Sequence, residues 1–162
     1  MDTDDAFKQN TWVDEPGRTF QILALDGGGI KGLFSAAILA AIEADLGIRI
    51  TDHFDLIAGT STGGIIALGL GLGMRPSEIV HFYVEEGPSI FGNRFGWRGL
   101  LRSVCRKFPQ SRLRAALQRC FGEKRLGESC KRLVIPSWNL DEEDVYLFKT
   151  PHHERLRRVY KV

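Results

Sequence analysis

Hydrophobic and polar positions form distinct blocks along the first half of the chain. The apolar runs 20–25 and 54–58 have the length of buried strands. Between them, residues 33–46 are apolar on almost every side and carry no acidic residue before Glu43, which predicts a helix that is buried all round. Gly47 follows as a left-handed C-terminal cap. Strand, helix and strand in this order predict an α/β fold with a parallel sheet.

The second half of the chain continues with helical and then strand patterns. A helix is predicted from Pro76 until Gly87 and Pro88 end it, and a second helix is predicted over residues 111–121. Residues 132–149 contain two strand-like runs around an acidic turn, which predicts an antiparallel hairpin. Pro136 in the first run suits an edge strand or a bulge better than a central strand.

Length and composition fit one globular unit. The chain has 162 residues, of which 43% are hydrophobic, so it can bury a sizeable core. We interpret residues 1–18 as a polar leader and residues 19–162 as the folded part. The formal net charge of +2 is too small to indicate a nucleic-acid partner.

The cysteines and the N-terminal residues indicate where in the cell the protein is expected and whether it binds a metal. Cys105, Cys120 and Cys130 are widely spaced and odd in number, which favours reduced thiols over disulfides or a zinc site. No metal and no cofactor are expected. The acidic N-terminus lacks the pattern of a secretory signal, so we expect a cytoplasmic protein that can attach peripherally to the inner face of the membrane.

One uncharged stretch, residues 56–74, is about long enough to cross a bilayer as a helix. A glycine-rich turn interrupts it near its start, and Gly69, Gly71 and Gly73 weaken the remainder as an isolated helix. The stretch is therefore predicted to fold as a buried strand followed by a buried helix.

The strongest chemical signal is a G-x-S-x-G sequence, Gly59 to Gly63, directly after an apolar run. A serine raised on a sharp turn between a strand and a helix needs small neighbours, and Gly59, Gly63 and Gly64 leave that room. This arrangement predicts that Ser61 is a nucleophile. The pattern alone also fits a glycine-rich turn with a serine N-cap.

A second glycine-rich junction favours the catalytic interpretation. The strand at residues 20–25 runs into Asp26, Gly27, Gly28 and Gly29 before the first predicted helix. Successive glycines expose backbone N–H groups, and the helix start adds a positive dipole end, so the loop can receive an oxyanion. Ester hydrolysis needs both a nucleophile and such donors, because its tetrahedral intermediate carries charge on oxygen.

Together the segment 26–32, the segment 59–63 and the hairpin resemble the patatin-like phospholipase family. The resemblance implies a patatin-like three-layer α/β fold with a largely parallel sheet, lipid acyl hydrolysis and a Ser-Asp catalytic dyad. Ser61 matches the nucleophile. The oxyanion hole matches Gly27, Gly28 and Gly29 together with the N–H of Thr62. The motifs further contain Asp26, Gly32, Gly59 and Gly63, and Lys31 where the family often has arginine.

The chain departs from the family in one respect. The dyad aspartate normally lies in a later D-G-G or D-G-A segment, and the only Asp-Gly pair here is Asp26-Gly27. We therefore expect an N-terminal portion of the domain that lacks the general base and is nearly inactive alone. The substitutes considered were four histidines, each better explained by a surface or structural role: His53, His81, His152 and His153.

Segments such as 148–153 are similar to bacterial patatin-like effectors that cyclic nucleotides switch on in antiphage defence. This similarity implies a membrane phospholipid or another lipid ester as substrate. It also implies a cyclic-nucleotide activator that binds a region absent from these residues. A homo-oligomer is compatible with this group.

Two other functions remain open from the sequence. The spacing Gly27-x-Gly29-x-x-Gly32 fits a dinucleotide-binding loop, although no acidic residue closes the second strand to hold a ribose. Alternatively, a noncatalytic protein with a hydrolase fold could bind a membrane or partner through the basic segment 94–107.

Overall fold

Four strands form one sheet in the order β1-β2-β3-β4 in this computed structural model, which describes residues 17–91 and 110–151. The strands are β1 (Ile22–Leu25), β2 (Leu56–Gly59), β3 (Arg132–Asn139) and β4 (Asp144–Lys149). The first three run parallel, whereas β3 and β4 pair antiparallel. The predicted α/β class, the largely parallel sheet and the hairpin are confirmed.

Four α-helices connect the strands within the described ranges. They are α1 (Gly32–Leu46), α2 (Thr62–Gly71), α3 (Pro76–Phe91) and α4 (Gln110–Phe121). Helix α2 packs against β1, β2 and β3, α1 and α3 pack against each other and against α2, and α4 packs against α3. Gly47 ends α1 at a φ of 63° and a ψ of 30°, the left-handed cap that the sequence predicts.

The buried core lies between the sheet and α2. Alternate strand residues, among them Leu25, Ile57 and Leu133, point to this side and pack with Ile66 and Leu70 of α2. Residues 56–74 thus form β2, a turn and α2, as predicted. None of the helices in the described ranges is long and apolar enough to cross a membrane.

The second face of the sheet carries several apolar side chains that are open to solvent in the part of the chain that the structure describes. Ile22 of β1 is 55% exposed, and Trp138 on β3 and Val145 and Leu147 on β4 are exposed as well. The register puts these side chains on the face opposite to the core, because Trp138 pairs with Val145 and Ile22 pairs with Leu56.

The prediction that α1 is buried all round is wrong for the described residues. Ala36 and Leu39 are buried, but Phe34 is 71% exposed, and Ile38 and Leu46 are exposed too. A helix contacts its neighbours through one stripe, so an apolar composition on every side does not bring burial on every side.

The prediction that Gly87 and Pro88 end a helix is also wrong. Helix α3 continues to Phe91 with Pro88 inside it. Ile90 and Phe91 in its last turn are buried, and this packing offsets the backbone hydrogen bond that the proline cannot donate. Tertiary contacts here outweigh a local breaker signal.

Candidate active site

Ser61 lies between the end of β2 and the start of α2, at a backbone φ of 56° and ψ of −119°. A positive φ is uncommon for a residue with a side chain and costs about 1–3 kcal/mol, so the surrounding structure must impose it. The backbone does so on both sides of the serine. Thr60 donates its N–H to the Leu25 carbonyl at 3.1 Å, and Gly63 donates its N–H to the Thr60 carbonyl at 3.0 Å.

Two glycines of the turn occupy positions that no side chain could share. A β-carbon built on Gly59 would lie 2.7 Å from the Gly64 nitrogen, and one built on Gly63 would lie 2.7 Å from the carbonyl carbon of Leu25. Both contacts would be with backbone atoms, which cannot rotate away as the end of a side chain can. The G-x-S-x-G spacing is therefore a steric requirement of this turn.

The glycine loop after β1 packs directly against the Ser61 turn. β1 and β2 are parallel neighbours with Leu25 opposite Gly59, so their carboxyl ends meet at one edge of the sheet. A β-carbon built on Gly27 would lie 2.8 Å from the Ser61 β-carbon and 2.7 Å from the Thr60 carbonyl oxygen. The structure thus brings the two motifs together, although Gly27 and Ser61 are 34 positions apart in the sequence.

The amides of the predicted oxyanion hole do not all have the same surroundings. Gly28 donates its N–H to the Thr62 hydroxyl at 3.0 Å, which ties the loop to the first residue of α2. Gly29 has a φ of 61°, a conformation that favours glycine. The Gly28 amide is committed to Thr62, so Gly27, Gly29 and Thr62 carry the other predicted donor groups.

A tyrosine that the sequence analysis did not single out forms a hydrogen bond to the same residue, Thr62. Tyr83 of α3 is 1% exposed and donates its hydroxyl to the Thr62 carbonyl at 2.9 Å. Burial raises the pKa of this phenol, while the hydrogen bond to Thr62 acts in the opposite direction. The sequence signal for this role was a single hydroxyl group on the otherwise apolar face of α3.

Gly32 lets three helices meet at Thr62. A β-carbon built on Gly32, the first residue of α1, would lie 3.0 Å from the Tyr83 hydroxyl oxygen and 3.1 Å from the Thr62 β-carbon. Asp26 and Lys31 flank the glycine loop and are exposed. Lys31 also donates its N–H to the Gly28 carbonyl at 3.2 Å, which closes the short 3-10 turn there.

Of the four histidines considered as substitute bases, His53 lies away from Ser61. His53 precedes β2, whereas Ser61 follows it, so a whole strand separates them. His53 instead lines a polar cavity of about 460 Å³ at that far end of the sheet. His81 is exposed on α3, and His152 and His153 lie outside the described residues.

The described residues contain free thiols but no cluster of side chains that could hold a metal ion. Within residues 17–91 and 110–151, no three side chains of histidine, cysteine, aspartate or glutamate form a group that could hold a metal ion. Cys120 and Cys130 are free thiols, and Cys105 lies outside the described residues. The basic segment 94–107 and most of the polar leader lie outside them too.

Comparison with known proteins agrees with this arrangement of motifs. The sequence profile described as "Patatin-like phospholipase" matches residues 23–160, which is nearly the whole chain. The chain belongs to the patatin-like phospholipase family. The match includes the glycine loop, Ser61 and the hairpin.

Individual members of the family are similar over most of the chain. The chain is 40% identical over 136 residues to a cGAMP-activated phospholipase of Pseudomonas aeruginosa, which covers 83% of this chain and 41% of that protein. It is 36% identical over 155 residues to a cGAMP-activated phospholipase of Escherichia coli, which covers 90% of this chain and 43% of that protein.

A plant member is similar as well. Patatin-like protein 4 of Arabidopsis thaliana is 34% identical over 152 residues, covering 84% of this chain and 38% of the plant protein. The chain spans about two fifths of the length of the curated relatives it matches.

Proposed function

We propose that this chain is the nucleophile-bearing part of a lipid acyl hydrolase that cleaves acyl esters of membrane phospholipids or other lipids. The observation that carries the proposal is the strained backbone of Ser61, at a φ of 56°, packed against the glycine loop after β1. Membership of the patatin-like phospholipase family supports the choice of a lipid ester as substrate.

In the proposed reaction, the Ser61 hydroxyl oxygen attacks the acyl carbonyl carbon and passes its proton to a general base. The resulting oxyanion accepts hydrogen bonds from the amides of Gly27, Gly29 and Thr62, each worth about 3 kcal/mol of barrier lowering. Collapse of the intermediate expels the alcohol with that proton and leaves an acyl-enzyme. Water then hydrolyses the acyl-enzyme, releasing the fatty acid and restoring Ser61.

The remaining motif residues are assigned to positioning. The bond from the Gly28 amide to the Thr62 hydroxyl, at 3.0 Å, holds the glycine loop against the start of α2. Lys31 adds a positive charge near the developing anion, at an exposed site beside that loop. Gly59 and Gly63 provide the room that the Ser61 turn needs.

We further propose that residues 19–162 are the N-terminal part of a longer patatin-like domain, whose later residues supply the dyad aspartate. The chain contains no second Asp-Gly pair after Asp26-Gly27, and its relatives are more than twice as long as the matched part. A serine without a base within hydrogen-bond reach is a weak nucleophile, so the 162-residue chain alone should have little activity.

We also infer that the longer protein responds to a cyclic nucleotide. The bacterial relatives in Pseudomonas aeruginosa, Escherichia coli and Vibrio cholerae are each named as cGAMP-activated phospholipases. The test is phospholipid hydrolysis by the longer protein with and without cGAMP. An unchanged rate would refute the regulation while leaving the hydrolase proposal standing.

The proposed activity is tested on the longer protein with phospholipid vesicles and with a fluorophosphonate probe. Ser61→Ala should abolish both fatty-acid release and labelling, because it removes the attacking oxygen. The matched control is Ser77→Ala, which removes an exposed serine at the start of α3 and should change neither.

Hydrolysis that survives Ser61→Ala would refute the assignment. Binding of a dinucleotide in calorimetry, without labelling of Ser61, would favour the dinucleotide-binding interpretation of the glycine loop. A measurable Ser61-dependent rate from the 162-residue chain alone would refute the proposal that its base lies elsewhere.

A further inference from the structure

Gly87 lies in the interior of α3, where glycine weakens a helix relative to alanine. The residue is buried, and it is not among the glycines that have a positive φ. The backbone conformation therefore does not require glycine at this position. A glycine inside a helix often reflects close packing against a neighbour, so the reason must lie in what contacts α3 there.

The side chain of Ile30 occupies the space that Gly87 leaves open. A β-carbon built on Gly87 would lie 2.7 Å from the Cδ1 methyl of Ile30, whereas the ring of Phe91 would lie at 3.9 Å, an ordinary contact. Carbon atoms in contact are normally about 3.5–4.0 Å apart. The Ile30 methyl in its present position and a side chain at residue 87 therefore exclude each other.

Ile30 belongs to the glycine loop that follows β1. It lies in the 3-10 turn Gly29–Lys31, directly after three successive glycines. The segment 26–32 contains three residues with side chains, and the other two, Asp26 and Lys31, are charged and exposed. Ile30 is thus the apolar side chain through which this loop can pack against a helix.

One face of α3 contacts both parts of the candidate site. Tyr83 lies one helical turn before Gly87 and therefore on the same face. Its hydroxyl donates to the Thr62 carbonyl at 2.9 Å, directly after Ser61 in sequence, while Gly87 receives Ile30 of the glycine loop. The separation between the loop and the serine consequently depends on contacts with a single helix.

We propose that Gly87 and Ile30 are positioning residues, and that the Ile30 methyl packed at Gly87 sets the distance between the oxyanion donors of the glycine loop and Ser61. This inference rests on the proposed function. The donors are backbone amides, so they move whenever the loop moves. A displacement of about 1 Å from the required geometry can cost about 100-fold in rate.

The first test moves a methyl group from one side of the contact to the other in the longer protein. Gly87→Ala should lower kcat for phospholipid hydrolysis about tenfold with KM nearly unchanged, because the new β-carbon displaces Ile30 and the loop. Ile30→Val removes the Cδ1 methyl that lies in the way. The double variant should therefore recover kcat to within about threefold of the native value, whereas two unrelated packing defects would add.

Gly69→Ala is the matched control for crowding by a glycine substitution. Gly69 is buried in α2, and a β-carbon there would lie 3.0 Å from the Cδ1 methyl of Ile79, so the same two residue types are in contact. Gly69 lies about 12 Å along the helix from Ser61, since each helical residue rises about 1.5 Å. Gly69→Ala should leave kcat nearly unchanged, whatever its effect on the Tm.

Ile30→Ala is a second variant, which does not crowd α3. It removes the side chain that reaches Gly87 and should also lower kcat about tenfold without raising KM. Ile38→Ala is its matched control, because Ile38 on α1 is 44% exposed and Ile30 is 43% exposed. Equal falls in kcat for these two variants would overturn the positioning role of Ile30.

A third measurement does not depend on activity. Gly28 donates its N–H to the Thr62 hydroxyl at 3.0 Å, which holds the loop against α2. In hydrogen-exchange mass spectrometry of the longer protein, Gly87→Ala should make the segment 26–32 exchange about tenfold faster. The double variant with Ile30→Val should restore slow exchange, and Gly69→Ala should not change it.

The outcomes separate this inference from the proposed function. Ser61-dependent hydrolysis with the same kcat in the native protein and in Gly87→Ala overturns the positioning role and keeps the function. A double variant that is no faster than Gly87→Ala overturns the positioning role as well. Hydrolysis that does not depend on Ser61, together with the expected changes in exchange, overturns the function and keeps the packing of the loop on α3.

Discussion

Ser61 combines a reactive group with a backbone conformation that side chains rarely adopt. Its φ of 56° occurs in a turn where Gly59 and Gly63 approach backbone atoms too closely for any side chain. Ser61 is exposed, although Thr62, Gly63 and Gly64 directly after it are buried. The glycines beside Ser61 are therefore required by the packing of the turn itself, independently of any catalytic role of the serine.

Gly63→Ala tests that steric requirement. The new β-carbon would overlap the Leu25 carbonyl group, whose carbon lies 2.7 Å away, so we expect a loss of about 3 kcal/mol in the free energy of unfolding. The measurement is chemical denaturation. Gly28→Ala is the control and should cost less, because its nearest obstacle, the Lys31 β-carbon, is farther away at 3.3 Å. Equal losses would mean that the turn is not tightly packed.

Three helices converge on one residue, Thr62, through the first residues of α1 and α2 and the middle of α3. Its hydroxyl accepts the Gly28 amide, its carbonyl accepts the Tyr83 hydroxyl, and Gly32 of α1 lies against both side chains. The glycine loop, α2 and α3 are therefore joined by hydrogen bonds that run through the residue after Ser61. Any shift of α3 is expected to move the proposed oxyanion donors relative to the serine.

Tyr83→Phe removes one of those bonds without changing the packing volume much. We expect a loss of about 1 kcal/mol in the free energy of unfolding, because a buried carbonyl at Thr62 loses its donor. In the longer protein, kcat should fall while binding of vesicles stays the same. Val80→Ala on α3 is a control for packing loss, and it should lower stability without the selective fall in kcat.

The buried phenol also predicts how stability depends on pH. Burial raises the pKa of Tyr83 in the folded protein, whereas the unfolded chain has the ordinary value of about 10. Its contribution to stability is therefore complete below about pH 10 and declines as the pH rises further, since the unfolded state then loses the proton first. Thermal unfolding across this range should show a smaller decline for Tyr83→Phe than for the native sequence.

At the scale of the whole molecule, the sheet is covered on one side only within the described residues. Helix α2 covers the face that carries Ile57 and Leu133, and the opposite face exposes apolar side chains on β1, β3 and β4. Parallel sheets are normally buried on both faces. The exposed face is thus the largest departure of this chain from an ordinary α/β protein.

The exposed face predicts self-association of the 162-residue chain. Val145→Lys, at a residue of the open sheet face that is 54% exposed, should reduce association in light scattering. Val84→Lys is the matched control, because Val84 of α3 is 56% exposed but lies on the helical side. Equal behaviour of both variants, or a monomeric native chain at high concentration, would contradict this prediction.

The sequence alone determined the features that depend on neighbours along the chain. The strand-turn-helix order around Ser61, the left-handed cap at Gly47 and the β3-β4 hairpin follow from local periodicity and from what glycine permits. The pairing of the two glycine-rich motifs could also be expected, because parallel strands end at the same edge of a sheet. These predictions did not depend on which faces of the helices and of the sheet are covered by other elements.

Only the tertiary structure decided the features that depend on distant contacts. Burial of Ile90 and Phe91 carried α3 past Pro88, and the limited contact stripe of α1 left Phe34 exposed despite its apolar surroundings in sequence. The bond between Tyr83 and Thr62 joins residues of two different helices, and no local pattern encodes it. A sequence records which side chains can be buried or bonded, whereas packing determines which of them are.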